Sequence, residues 1–157
     1  NGDYENYLLN SILKNTSLKN KTIWDAGAHI GYHSLVFAKY VGKGGLVISF
    51  EPNFKNRKIF EKNLKNNPKL SANIILSKEA LSDETGHAKM RISKNSNQTS
   101  SSGGYLCNIT PPLDKESYKN FENTDIAINT IDNLIFNKHL QKPDIIKIDV
   151  EEFLRAR

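Results

Sequence analysis

The chain has one cysteine, one methionine, one tryptophan and five prolines among 157 residues. A lone Cys107 cannot form an internal disulfide, which suits a reducing compartment, and a cytoplasmic location is the expectation. The four histidines, His29, His33, His87 and His139, are scattered and show no zinc-ligand spacing, so no metal is expected. No apolar run approaches the ~20 residues that cross a bilayer, and the opening NGDYENYLLN carries no secretion signal. Membrane and secreted classes are therefore not expected. The dinucleotide pattern G-x-G-x-x-G is also missing. There is no basic block either. The net charge of +5 comes from lysines interleaved with asparagines and acids throughout, which reads as a solvated surface and argues against a nucleic-acid partner. The tripeptides at Asn15, Asn20, Asn97 and Asn108 that match glycosylation acceptors read as chance matches in so asparagine-rich a chain.

With 38% hydrophobic and 25% charged residues, the composition fits one folded domain over residues 1–157. Its organising stretch is KTIWDAGAHIGYHS, from Lys21 to Ser34. Thr22 to Trp24 read as a buried strand, Asp25 as an acid at its end, and Gly27 and Gly31 as a tight bend before a helix. Open α/β sheets bind nucleotide-like ligands at such a place. A plain turn in any α/β domain is the simpler reading of these residues. The acid two residues before the first glycine disfavours a phosphate, which it would repel, and suits a ligand carrying an ammonium group. S-adenosylmethionine has one.

The remaining elements follow from periodicity. Tyr4, Leu8 and Ile12, with Leu9 and Leu13, predict an amphipathic helix over 4–14. Leu35, Ala38 and Val41 continue the helix after the bend, ending at Gly42. Leu46 to Phe50 is an apolar run typical of a strand covered on both faces. Glu51 at its end is placed to accept hydrogen bonds from a ribose. A helix over 54–65 closed by Pro68, and a short strand over Asn73 to Leu76, come next. Glu79, just after, is a candidate for the exocyclic amine of adenine or equally a surface acid. His87 to Ser93 and Asp125 to Thr130 alternate and should pair as an antiparallel hairpin. Residues 94–124, with NSNQTSSSGGY, predict a long mobile loop over the ligand site. Ile131 to Leu140 predict a helix capped by Thr130 or Asp132. Pro143 to Glu151 predict a last strand, placing Asp149 on the edge that carries Asp25 and Glu51.

In this order the chain carries GDYE, DAGAHIGYHS, FEPN, EALSDETG, NTIDNLI and KPDIIKIDVE. It thereby resembles the FkbM family of S-adenosylmethionine-dependent methyltransferases over nearly its whole length. The resemblance implies a Rossmann-like class I methyltransferase fold, mostly parallel, with helices on both faces and an inserted antiparallel hairpin. It implies O-methyl transfer to a hydroxyl of a sugar or small natural product. Carried over by position, Asp25, Gly27, Ala28 and Gly31 would lie along the methionine part of S-adenosylmethionine. Glu51 would hold the ribose, Glu79 and Ala80 would flank the adenine, and Asp149 would face the methyl group and the acceptor. A general base for the acceptor hydroxyl could be Asp149, Glu151, His29 or His33; Asp149 ranks first by its strand-end position, with capping of a following helix as its plain structural alternative. Two departures stand out: His29 where the family usually has asparagine, and Glu152 where it has glycine. The family's later strands are missing, so the last strand is expected to be left as an edge, and the sequence reads as a fragment, a truncated product, or a chain that borrows cover from a partner such as a second copy. Three rivals remain: a nicotinamide-dependent oxidoreductase, a non-catalytic cofactor- or partner-binding module, and an RNA methyltransferase.

Overall fold

The computed structural model describes residues 9, 12, 16–94, 104–106 and 120–150. The first strand, β1 (Thr22–Ala26), is buried along its whole length. It runs two residues further than the sequence suggests, so Asp25 is a strand residue and not a tip beyond it. The bend then leads into α1 (Tyr32–Val41), which buries Ser34, Phe37, Ala38 and Val41 and stops at Gly42 as expected. Strand β2 (Leu46–Phe50) follows. Helix α2 (Phe54–Asn66) is capped by Asn53, whose side chain accepts from the Lys55 amide. Pro68 does not simply end α2. It opens a four-residue helix, α3 (Pro68–Ser71), at a first-turn position where its missing N–H costs nothing. Strand β3 (Ile74–Ser77) lies one residue beyond its predicted place.

The chain then builds a second sheet. Strands β4 (Ala80–Leu81), β5 (Gly86–Ser93), β6 (Gly104–Leu106) and β7 (Phe121–Asn129) stand in the order β4-β7-β5-β6. The expected pairing of β5 with β7 is present and antiparallel, with His87 opposite Ala127 and Met90 opposite Thr124. The hairpin is thus part of a four-stranded sheet. The stretch expected to be irregular contains β6, which pairs with β5, and the start of β7. The rest of that loop lies outside the described residues, as does most of the helix expected over 4–14. Leu9 and Ile12 of that helix pack on the core.

The last strand, β8 (Ile145–Ile148), returns to the first sheet, which has the order β3-β2-β1-β8. All its pairings are parallel. The helix expected over Ile131 to Leu140 starts at Ile131 as predicted, but passes into a π-helical turn at Asn133–Asn137 and ends there. Thr130 accepts from the Asn133 amide, as expected of a cap. The Lys138 amide reaches back five residues to the Asn133 carbonyl, and Asn129, Asn133 and Asn137 bond to one another through their side chains. Asparagine competes for such local bonds at the expense of a regular helix.

The two faces of the parallel sheet bury different sets. Ile23 and Val47 pack with Phe37, Ala38 and Val41 of α1. Trp24, Ile48 and Phe50 pack with Leu134 and the segment around it. The Trp24 and Phe50 rings are 5.2 Å apart, and the Trp24 indole N–H donates to the Gln141 carbonyl. Full burial of side chains of this size stabilises the fold by about 1.5–3 kcal/mol each. No helix among the described residues is long and apolar enough to cross a membrane.

Candidate functional site

Because the strands are parallel, their carboxyl ends share one edge. Register sets Asp25 beside Ser49 on one side and Lys147 on the other. Alternation turns all three toward α1, which contributes Ser34. The Ser49 hydroxyl donates to Ser34 at 2.8 Å, and Ser34 donates to Asp25 Oδ2 at 2.6 Å. Lys147 Nζ stands 2.9 Å from Asp25 Oδ1. Asp25 is fully buried. Its carboxylate, expected to meet a ligand's ammonium directly, meets the ammonium of Lys147 and supports the bend from below.

The bend is held just as completely. The Gly27 and Ala28 amides both donate to the Phe50 carbonyl at 3.0 Å, and the Gly31 amide donates to the Ala28 carbonyl. The His29 amide donates to Glu51 Oε2 at 2.7 Å. Gly27 and Gly31 have φ of +75° and +86°, which side chains resist. A Cβ on Gly27 would also lie 2.0 Å from the Asp149 carbonyl oxygen, and one on Gly31 2.1 Å from the Phe60 ring. These glycines therefore answer to packing within the chain. His29 has φ +54°, a region where asparagine and histidine are both enriched, so the departure from the family's asparagine preserves the local conformation.

Glu51 sits at the tip of β2 with 5% exposure. Besides His29, it accepts from the Asn53 amide at 2.8 Å. Burial pushes its carboxyl above the ordinary value of 4.5, against the lowering effect of the Asn53 and His29 amides and the Asn56 side chain. Arg57 closes the corner by donating to the Glu51 and Pro52 carbonyls. Its own pKa is lowered, chiefly by burial.

At the tip of β8 the Asp149 amide donates to the Ala26 carbonyl, so this residue adjoins the bend. Its side chain is 68% exposed and stands 3.6 Å from Lys147. Glu79 is placed differently. It follows β3 and pairs with Lys138, while Ala80 belongs to β4 in the second sheet and packs on its core. The structure thus gathers Asp25, Gly27, Ala28, Gly31, Glu51 and Asp149 around one bend, with Glu79 and Ala80 outside its hydrogen bonds. Sequence reasoning missed Ser34, Ser49, Asn56, Arg57 and above all Lys147. A lysine inside an apolar strand, two residues before Asp149 and so on the same face, was the available signal.

A parallel sheet of order 3-2-1 with a further strand beyond, carrying carboxylates at its tips and a left-handed glycine bend, is the α/β architecture of class I methyltransferases. The model of the methyltransferase FkbM domain matches residues 25–153. The chain belongs to that family. Among solved structures it is similar to the methyltransferase FkbM from Methylobacillus flagellatus, at 21% identity and a TM-score of 0.51 over 87% of this chain and 27% of that one. It is also similar to a SAM-dependent methyltransferase from Aquifex aeolicus, at 18% identity and a TM-score of 0.40 over 44% of this chain and 36% of that one. A protein-L-isoaspartate O-methyltransferase is similar at 29% identity and a TM-score of 0.35 over 38% and 18%. The chain thus spans about a third or less of their lengths. A search of curated protein sequences gives no match.

Membership implies use of S-adenosylmethionine, and the residues fit it. Four of the bend's amides, at 27, 28, 29 and 31, are spent inside the protein, so few are left of the N–H groups that cradle a pyrophosphate. Glu51 and Asp149 supply acceptors on either side.

Proposed function

We propose that this domain binds S-adenosylmethionine across the tips of β1, β2 and β8 and methylates a hydroxyl on a sugar or small natural product. The observation that carries this reading is the pairing of an inward-bonded bend with the strand-tip carboxylates of Glu51 and Asp149. Such a site offers hydrogen-bond acceptors to ammonium and ribose groups and little to phosphate. Gly27, Ala28 and the Lys147 end of the site face the methionine part, and Glu51 the ribose. Glu79 and Ala80 flank the adenine, with the Glu79–Lys138 pair opening to admit it.

When bound, S-adenosylmethionine supplies an electrophilic methyl group on a sulfonium. The chain's contribution is placement, which can account for much of the acceleration in a two-substrate reaction. Asp149, exposed and next to the bend, takes the proton of the acceptor hydroxyl as general base. Calorimetric titration with S-adenosylmethionine, S-adenosylhomocysteine and NAD on one sample tests the reading. Binding of the first two without NAD is expected; NAD binding alone would replace it with a dehydrogenase. With an acceptor in hand, Asp149→Asn should keep cofactor affinity and lose turnover by 100-fold or more, on the order expected for a general base. Unchanged turnover removes Asp149 from that role.

A further inference from the structure

Lys147 of β8 brings an ammonium to the bend. Its side chain is 16% exposed, so its ammonium is largely out of water. An ammonium has three N–H donors. Asp25 Oδ1 is its ion-pair partner at 2.9 Å, and the Gly27 carbonyl oxygen accepts one N–H at 3.2 Å. Among the described residues the ammonium has besides these only Asp149 Oδ2, at 3.6 Å, which is beyond hydrogen-bond length. Asp149 is itself exposed and able to turn away. Among the described residues Lys147 therefore has a donor to spare, beside the glycine bend.

The amino-acid end of S-adenosylmethionine is a zwitterion, so its site needs a donor for the carboxylate as well as an acceptor for the ammonium. Four of the bend's own amides, at 27, 28, 29 and 31, are committed elsewhere, which leaves the Ile30 amide and the start of α1 as its backbone donors, and these are neutral. Arg57 belongs to the β2 side, where its Nη1 donates to the Glu51 and Pro52 carbonyls. Asp25 cannot serve a carboxylate and is already neutralised. We propose that Lys147 is a binding residue for the amino-acid end of the ligand, its spare N–H donating to the ligand carboxylate while Asp25 and Gly27 hold the ammonium in place. This rests on the S-adenosylmethionine reading above.

The test compares two probes on the full chain. S-adenosylhomocysteine carries the amino-acid end; 5′-methylthioadenosine keeps the adenosine and thioether but lacks it. In calorimetric titration, Lys147→Met should weaken S-adenosylhomocysteine by about 10- to 100-fold, the range of a hydrogen bond to a charged group. Affinity for 5′-methylthioadenosine should stay within about twofold. Lys147→Arg should recover most of the loss. Removing Lys147 alone leaves Asp25 buried and uncompensated, so an Asp25→Asn/Lys147→Met double variant provides a folded control and should show the same selective loss. Equal weakening of both probes, or of neither, overturns the proposal while leaving the cofactor reading intact. A wild-type chain that binds neither probe overturns both.

Discussion

Hydrogen bonds to the buried Asp25 show how tightly single side chains are committed in this domain. Ser34 gives Asp25 Oδ2 its bond, and both groups are fully buried. Ser34→Ala should therefore lower stability by about 1–3 kcal/mol in urea denaturation, because the buried oxygen loses a donor that water cannot replace. Two carboxyls set opposite pH trends. Glu51 is raised above 4.5 by burial, so the stability tied to its protonated form is complete below that value and is lost as pH climbs through the raised folded value. Asp144 is lowered below 3.8, first by the Thr22 amide and then by Lys21. Its contribution is present above that value and is lost as pH falls through the depressed folded one. Melting temperatures followed from about pH 3 to 8 should separate them. Glu51→Gln should flatten the decline on the upper side, and Asp144→Asn the loss on the acid side. Identical profiles for wild type and both variants would refute the assignment.

Elements that close a turn on themselves place the strongest demands on residue type. Gly31 combines a φ of +86° with a Phe60 ring where a Cβ would go. Gly31→Ala should cost about 2–5 kcal/mol, from the left-handed backbone and the overpacked ring together. Adding Phe60→Leu should recover part of it, read as chemical denaturation midpoints; no recovery would mean the ring gives way unaided. The glycines, caps and apolar runs that build β1, α1, β2 and α2 were legible because each signal is local. The direction of Asp25 was not. All five residues of β1 are buried, so polarity along the strand does not tell the α1 face from the ligand edge. Its partners Ser49 and Lys147 arrive through strand register, a long-range property that a single sequence does not display. The π-helical turn escaped for a related reason: its apolar spacing matches a helix, and only the asparagine side-chain ladder tilts the balance.

Across the whole molecule, α2 joins the two sheets. Its Phe54 packs on the cluster of Met90, Ile92, Ile126 and Ile128. Lys55 donates to the Ser93 carbonyl and pairs with Glu122, while Phe60 fills the glycine bend. The sheets should therefore unfold together. Ile92→Ala should destabilise the protein by about 2–5 kcal/mol and shift the fluorescence transition of Trp24, which lies in the other sheet; an unmoved Trp24 transition would show that they melt independently. The same economy of bonding governs how a ligand arrives. A bend with four of its amides already paired has little left to organise, so encounter and capture need no slow rearrangement. Stopped-flow traces with S-adenosylhomocysteine should be single exponentials whose rates rise linearly with ligand concentration and do not level off.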